Sequence, residues 1–190
     1  MARCAVIERK TAETAIRLSL NLDGSGVARI DHPAGFYAHM LTLFAKHGLF
    51  DIELSAGGDI EVDDHHLVED TGIVFGQALA QALGERRGIR RAGSCLYPMD
   101  ETLARVALDL GGRPYLVFEA GLPPDDLCED FWQGFVNHAA LALHIDILRG
   151  RSAHHRCEAI FKAVARALRD AVERDSRAGN AIPSTKEVIV

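Results

Sequence analysis

The sequence predicts an α+β sandwich with pseudo-twofold symmetry, in which one helix-and-sheet unit is written twice and the two copies pack through their helices. Two observations carry this. At an offset of 88 residues, Glu13-Thr14 matches Glu101-Thr102, Arg17 matches Arg105, Leu20 matches Leu108 and Gly24 matches Gly112; at an offset of 89, His65-His66-x-x-Glu69 matches His154-His155-x-x-Glu158, and Ala78-Leu79 matches Ala167-Leu168. Each copy also reads in the same order, as hairpin, helix, strand and long helix.

The first hairpin is predicted from Ile16, Leu18, Leu20 and Leu22, which alternate with polar residues, from a turn at Asp23-Gly24-Ser25-Gly26, and from a return through Val27 to Ile30. Its counterpart runs from Thr102 to Leu110, turns at Gly111-Gly112 and returns through Tyr115 to Phe118. Helical stretches follow at 34–47 and 126–140. Phe50, Ile52 and Leu54 mark the next strand of the first half, with an extra short strand after Gly57-Gly58, and Leu143 to Leu148 marks that of the second. Each half closes on a long helix beginning at its His pair. Ile160, Val164, Leu168 and Val172 form the apolar stripe of the second, and Leu67, Val74, Ala78 and Leu79 that of the first, before Gly84 and Gly88 stop it. The elements make one domain, 1–190, of two pseudo-repeats at about 6–92 and 93–190.

Composition narrows the function. With 48% hydrophobic and 25% charged residues the chain is an ordinary globular sequence. A net charge of -6 leaves no basic surplus for nucleic acid. No apolar run is long enough to span a bilayer, no secretory segment stands at the start, and the folded part is expected to begin near Val6, so the cytoplasm is the expected compartment. Cys4, Cys95, Cys128 and Cys157 are scattered and read as reduced thiols, with Cys157 on the helix face away from any metal.

The chemistry sits in the two His-His-x-x-Glu motifs. Imidazole nitrogen and carboxylate oxygen are transition-metal ligands, and on a helix either His shares a face with the Glu three or four residues on. Adjacent residues diverge by about 100°, so the two imidazoles of one pair point to different ions. Two metals, each fed by both copies, are expected, with Asp63 and Asp64 as acceptors that orient the rings. Two further histidines are needed; His39 and His144 are available, although each alone also suits a satisfied structural histidine. Arg90-Arg91, Arg113, Lys162 and Pro183-Ser184-Thr185-Lys186 offer forks, a hydroxyl and ammonium groups for phosphate. Lys162, four residues after Glu158, equally suits an i,i+4 ion pair. Together these residues describe a dinuclear metal enzyme acting on a small phosphorylated molecule.

From about Ile7 to Ile189 the chain resembles the imidazoleglycerol-phosphate dehydratase family in its monofunctional form. The resemblance rests on Arg9-Lys-Thr-x-Glu13-Thr14, His39-Met40-Leu41, Lys46-His47-Gly48-Leu49-Phe50-Asp51, and Gly58 through His65-His66-x-x-Glu69-Asp70. It continues through Pro98-Met99-Asp100-Glu101, Asp109-Leu110-x-Gly112-Arg113-Pro114-Tyr115, Leu143-His144-Ile145, His154-His155-x-x-Glu158-Ala159-x-Phe161-Lys162-Ala163 and Pro183-Ser184-Thr185-Lys186. It implies ββαβ(β)α halves with helices between two four-stranded sheets, the ribosomal protein S5 domain 2-like fold. It implies two manganese ions per active site, one on His65, His144, His154 and Glu158, the other on His39, His66, Glu69 and His155. It further implies a homo-oligomer, an octahedral shell of about 24 subunits with active sites at subunit interfaces.

The implied reaction is the dehydration of D-erythro-imidazole glycerol phosphate to imidazole acetol phosphate in histidine biosynthesis. The C–H to be broken is poorly acidic, so the imidazole ring, deprotonated with the help of Lewis-acid metals, is expected to expel the neighbouring hydroxyl. Glu13 is the first candidate to move protons, with Asp100, Glu101 and the metal-set Glu158 beside it; Glu101 also suits a structural role at its hairpin edge. The resemblance assigns Glu13 and His47 to the substrate, and Arg91, Arg113, Lys162, Ser184 and Lys186 to its phosphate. Ala38, Leu67, Ala92 and Glu187 depart from the family's usual Asp, Thr, aromatic residue and Gly. Two other functions use the same residue types: a dinuclear metal-dependent phosphohydrolase, and a non-catalytic metal-binding shell protein, which would need no phosphate ligands.

Overall fold

Residues 3–123 and 126–189 are described in the computed structural model. Positions 1, 2, 124, 125 and 190 of the expected domain lie outside the described residues. The chain runs β1 (Cys4–Lys10), β2 (Thr14–Asn21), β3 (Ala28–Asp31), α1 (Gly35–Gly48), β4 (Asp51–Gly58) and α2 (His65–Leu83). It then repeats that order as β5 (Ala92–Met99), β6 (Thr102–Asp109), β7 (Tyr115–Glu119), α3 (Cys128–Ala139), β8 (Ala142–Arg149) and α4 (Ala153–Val172). Each half is βββαβα with its own four-stranded sheet, ordered β1-β2-β4-β3 and β5-β6-β8-β7. The α+β duplication is as expected, while the element order within each half differs from ββαβ(β)α.

The expected hairpins are not formed. β4 lies between β2 and β3, antiparallel to the first and parallel to the second. Asp51, at the start of β4, is the reason. Its Oδ1 accepts the N–H groups of Ser25 (2.8 Å) and Val27 (2.9 Å), so the glycine-rich loop closes on β4 instead of β2. A Cβ on Gly24 would fall 2.4 Å from the Asp51 nitrogen, which makes glycine obligatory there. In the second half Gly112 and Tyr115 donate to the carbonyls of Ala140 and Leu141, and β7 pairs parallel to β8 in the same way. Parallel neighbours need a crossover, which α1 and α3 supply.

Two strands lie outside the expected elements. β1 begins at Cys4, ahead of Val6, and β5 contains Gly93 and Pro98, which argue against a central strand. Both are tolerated because β5 is a sheet edge and because α4 presses on Gly93, where a Cβ would lie 2.0 Å from the Ala167 oxygen. The short strand expected after Gly57-Gly58 is instead a turn, closed by Val62 N–H donating to Asp59 O at 2.8 Å.

The helices fill the space between the sheets: α2 on β1 and β2, α4 on β5 and β6, α1 against α4 and α3 against α2. The stripe Ile160, Val164, Leu168, Val172 is buried as expected, and so are Leu67, Val74, Ala78 and Leu79. Phe131, Trp132 and Phe161 meet with ring centroids 4.8–5.1 Å apart and tie α3 to α4. α2 and α3 approach through glycines; a Cβ on Gly72 would stand 2.2 Å from the Phe131 oxygen. Between the halves, buried Arg86 takes a left-handed φ of 57° and donates to the carbonyls of Leu110, Ala139 and Ala140 at 2.7–2.9 Å. Among the described residues no helix is long and apolar enough to cross a membrane.

Candidate active site

Both His pairs open a long helix, and the two copies share one geometry. Ring centroids are 6.0 Å apart in each pair, with interplanar angles of 75° and 76°. The first imidazole of each pair faces its own Glu across one helical turn: His65 Nε2 is 3.9 Å from Glu69 Oε2, and His154 Nε2 is 3.2 Å from Glu158 Oε2. The second imidazole turns to a carboxylate from a loop. His66 Nδ1 lies 3.1 Å from Asp59 Oδ2, and His155 Nδ1 lies 2.8 Å from Glu101 Oε2. A carboxylate only accepts, so each Nδ1 carries a proton, and in the neutral ring each Nε2 keeps a lone pair for an ion. A carboxylate behind the imidazole is how metal-binding histidines are held.

The orienting acids are Asp59 and Glu101, in place of the expected Asp63 and Asp64. Asp63 Oδ1 accepts the backbone N–H of His65 instead, and the Asp64 side chain makes no cap hydrogen bond. No spacing rule points to Asp59, because it reaches His66 only through the turn before α2. Its hydrogen bond, then the nearby Glu13 charge, raises the pKa of His66; Glu101 does the same to His155. The N–H of Ser152, then His155, hold the Glu101 carboxyl well below the usual carboxylate range, and its Oε1 also accepts from Arg151 N–H at 3.1 Å. Glu101 thus has the structural surroundings that made a hairpin-edge role plausible, together with a hold on a ligand candidate.

Glu158 is buried. Burial pushes its carboxyl upward, but Lys162, His154 and His39 together overcome this and leave it lowered. Lys162 caps Oε1 as the i,i+4 ion pair, lies 3.7 Å from Met99 Sδ, and stands over the Tyr97 ring. His39 approaches the same carboxylate, Nε2 to Oε2 at 3.9 Å. His144 stands apart. Leu143 and Ile145 on either side of it point into the core, so His144 is exposed on the sheet face turned away from the helices, beside Tyr115. Among the described residues, Glu13, Asp59 and His66 are brought within 4.8 Å of one another, whereas neither four-ligand set expected from the sequence closes in one chain.

Glu13 lies in the β1–β2 loop with Oε2 3.7 Å from His66 Nδ1. Asp100, at a left-handed φ of 47°, brings Oδ2 to 4.0 Å from His155 Nε2. Arg91, Arg113, Ser184, Thr185 and Lys186 line one open cleft of about 540 Å³. Arg91 grips Asp109 through two hydrogen bonds of 2.7 and 2.9 Å and donates to the Pro183 carbonyl at 2.7 Å, so it also pins the tail. Glu187 sits at a left-handed φ of 57° with its N–H donating to the Ser184 oxygen. His47 is elsewhere, at the end of α1 edge-on to Tyr97; burial first, then Lys162 and Arg166, lower its pKa and favour the neutral ring. The expected phosphate set is therefore split, Lys162 beside Glu158 and Tyr97, and Arg91, Arg113, Ser184 and Lys186 in the tail cleft. Cys157 faces away from the site as expected, packed 3.4 Å from the Cys128 sulfur.

A duplicated α+β frame with ligand-bearing helix starts and an arginine-lined cleft defines a class: a metal-site enzyme for a small anionic substrate. Residues 33–168 match the family described as imidazoleglycerol-phosphate dehydratase. Proteins of that name from Methylibium petroleiphilum and Cupriavidus taiwanensis are 52% and 53% identical over 191 residues, covering 97% of this chain and 96% and 98% of theirs. The crystal structure of the Staphylococcus aureus enzyme superposes with a TM-score of 0.81 at 39% identity, covering 90% of this chain and 99% of that one. The Pyrococcus furiosus structure gives 0.81 at 31% identity, with 96% and 99% covered. The chain belongs to the imidazoleglycerol-phosphate dehydratase family. It is a hydro-lyase, and its place is in histidine biosynthesis.

Proposed function

We propose that this chain dehydrates D-erythro-imidazole glycerol phosphate to imidazole acetol phosphate in the cytoplasm, as a single domain of two repeats that assembles into a shell of about 24 subunits. Two manganese ions per active site are held by His39, His65, His66, Glu69, His144, His154, His155 and Glu158. The observation that carries the reading is the repeated carboxylate behind His66 and His155, which leaves both Nε2 atoms free as donors. His144 supports a site shared between chains, because it faces outward while His154 sits on the helix layer behind the same sheet. When bound, the ions supply Lewis acidity that lowers the ring N–H pKa of the substrate imidazole.

The chain's own groups do the rest. Glu13, exposed and 3.7 Å from His66 Nδ1, is placed to move a proton beside the metal ligands, as is Asp100, 4.0 Å from His155 Nε2. Arg91, Arg113, Ser184 and Lys186 take the phosphate in their cleft. His47, neutral, gives the substrate a hydrogen bond without charge. Lys162 favours the ionised form of Glu158, and with that carboxylate on a metal its ammonium would be available to the phosphate.

Purified protein supplied with manganese and imidazole glycerol phosphate should form the dehydrated ketone in step with substrate loss. Release of inorganic phosphate would replace this reading with a phosphohydrolase. Full metal loading with no turnover would leave a metal-binding shell protein.

A further inference from the structure

The repeats hold their equivalent glutamates in different ways. In the second half Glu101 is spent: its oxygens accept from Arg151 N–H, Ser152 N–H, Thr102 Oγ1 and His155 Nδ1. In the first half the equivalent threonine, Thr14, gives its hydroxyl hydrogen to Asp70 Oδ2 instead. Asp70 is buried, and its other oxygen takes both Arg9 Nε (2.9 Å) and Arg9 Nη2 (2.8 Å). Neither acid nor arginine exists in the second copy. The position equivalent to Asp70 is Ala159, and that equivalent to Arg9 in the β1–β2 register is Tyr97.

The clamp reaches Glu13 through the backbone. With the Thr14 hydrogen committed to Asp70, the Thr11 hydroxyl donates to Thr14 Oγ1 at 3.1 Å. Thr11 Oγ1 in turn accepts the N–H groups of Glu13 (3.1 Å) and Thr14 (2.9 Å). The Glu13 carbonyl accepts from Asp59 N–H at 3.2 Å, and the Asp59 carboxylate is the one that holds His66. Both backbone polar atoms of Glu13 are fixed while its side chain stays more than half exposed.

We infer that Arg9, Asp70, Thr14 and Thr11 form a positioning clamp that sets the Glu13 carboxylate against the His66 edge of the metal site while leaving it free of donors. The inference rests on Glu13 being the proton-transferring group proposed above. The clamp explains why one member of a duplicated Glu pair is available for chemistry and the other is not.

Thr14→Val keeps shape and removes the hydroxyl; Thr14→Ser restores it; Thr11→Val, at an exposed position, breaks the second link without touching the core. With the manganese-loaded protein, each Val variant should lower kcat roughly tenfold or more while KM and metal content stay near wild type, and Thr14→Ser should recover most of the loss. In a Glu13→Gln background the same Val changes should have no further effect, because the group they position is gone. Unchanged kcat in both Val variants, or an equal loss with and without Glu13, overturns the clamp. Full activity of Glu13→Gln alone instead removes the reading of Glu13 on which the clamp depends.

Discussion

His32 belongs to neither ligand set, and it is buried between β3 and the start of α1. Its Nδ1 accepts Ala34 N–H at 3.2 Å, so Nε2 carries the hydrogen, directed toward Thr71 Oγ1 at 3.4 Å. Burial, only partly offset by the Asp64 and Asp31 charges, holds its pKa below the ordinary imidazole value of about 6.5. Below that value the unfolded chain therefore takes up a proton before the folded one, and stability falls with falling pH until the folded His32 also titrates. Urea unfolding followed from about pH 8 down to about pH 5 should show a steeper loss for wild type than for His32→Asn. His66 and His155, whose pKa values are raised, add a slope of the opposite sign that both proteins share. Parallel profiles would show that His32 is not the titrating group. At this scale spacing made six ligand candidates legible, the two His-His-x-x-Glu motifs, since residue type and helical periodicity are local; His39 and His144 were singled out by the family resemblance. Asp59, Asp70 and the hold of Glu101 on His155 were not legible, because each joins residues whose nearness is created by the folded loops.

The α2–α3 contact is the tightest test of how the helices fit. Gly72 faces the Phe131 carbonyl with no room for a methyl group, and Gly76 meets the Phe135 carbonyl in the same way, a Cβ there falling at 2.4 Å. Backbone cannot move aside as a side-chain end can, so Gly72→Ala should cost about 1–3 kcal/mol despite the better helix propensity of alanine. A lower thermal midpoint with unchanged helix content would show this; an equal or higher midpoint would mean that the helices separate freely. The long helices were legible because a stripe every four residues needs only local sequence. The neighbours of each strand were not. Alternation marked β2 and β3 as strands, but the insertion of β4 between them depends on Asp51 gathering the N–H groups of Ser25 and Val27. Pro98 and Gly93 likewise concealed β5, because whether a strand is an edge is decided by the sheet and not by the strand.

A site that needs both His154 and an outward-facing His144 can be tested on the assembly as a whole. His144→Ala and His154→Ala proteins should each be inactive. When the two are co-expressed, about a quarter of the sites should draw both intact residues from different chains and regain turnover. A mixture as inactive as its parents would place the whole site within one chain. The same view gives Arg86 a meaning beyond packing. It belongs to the connector between the repeats, yet its guanidinium binds carbonyls of the second repeat, at Leu110 beyond β6 and at Ala139 and Ala140 where α3 ends. Lengthening or shortening that connector by a residue would pull the cation out of register and strand three carbonyls. The seam between the two repeats is thus held to a fixed length by a single buried cation.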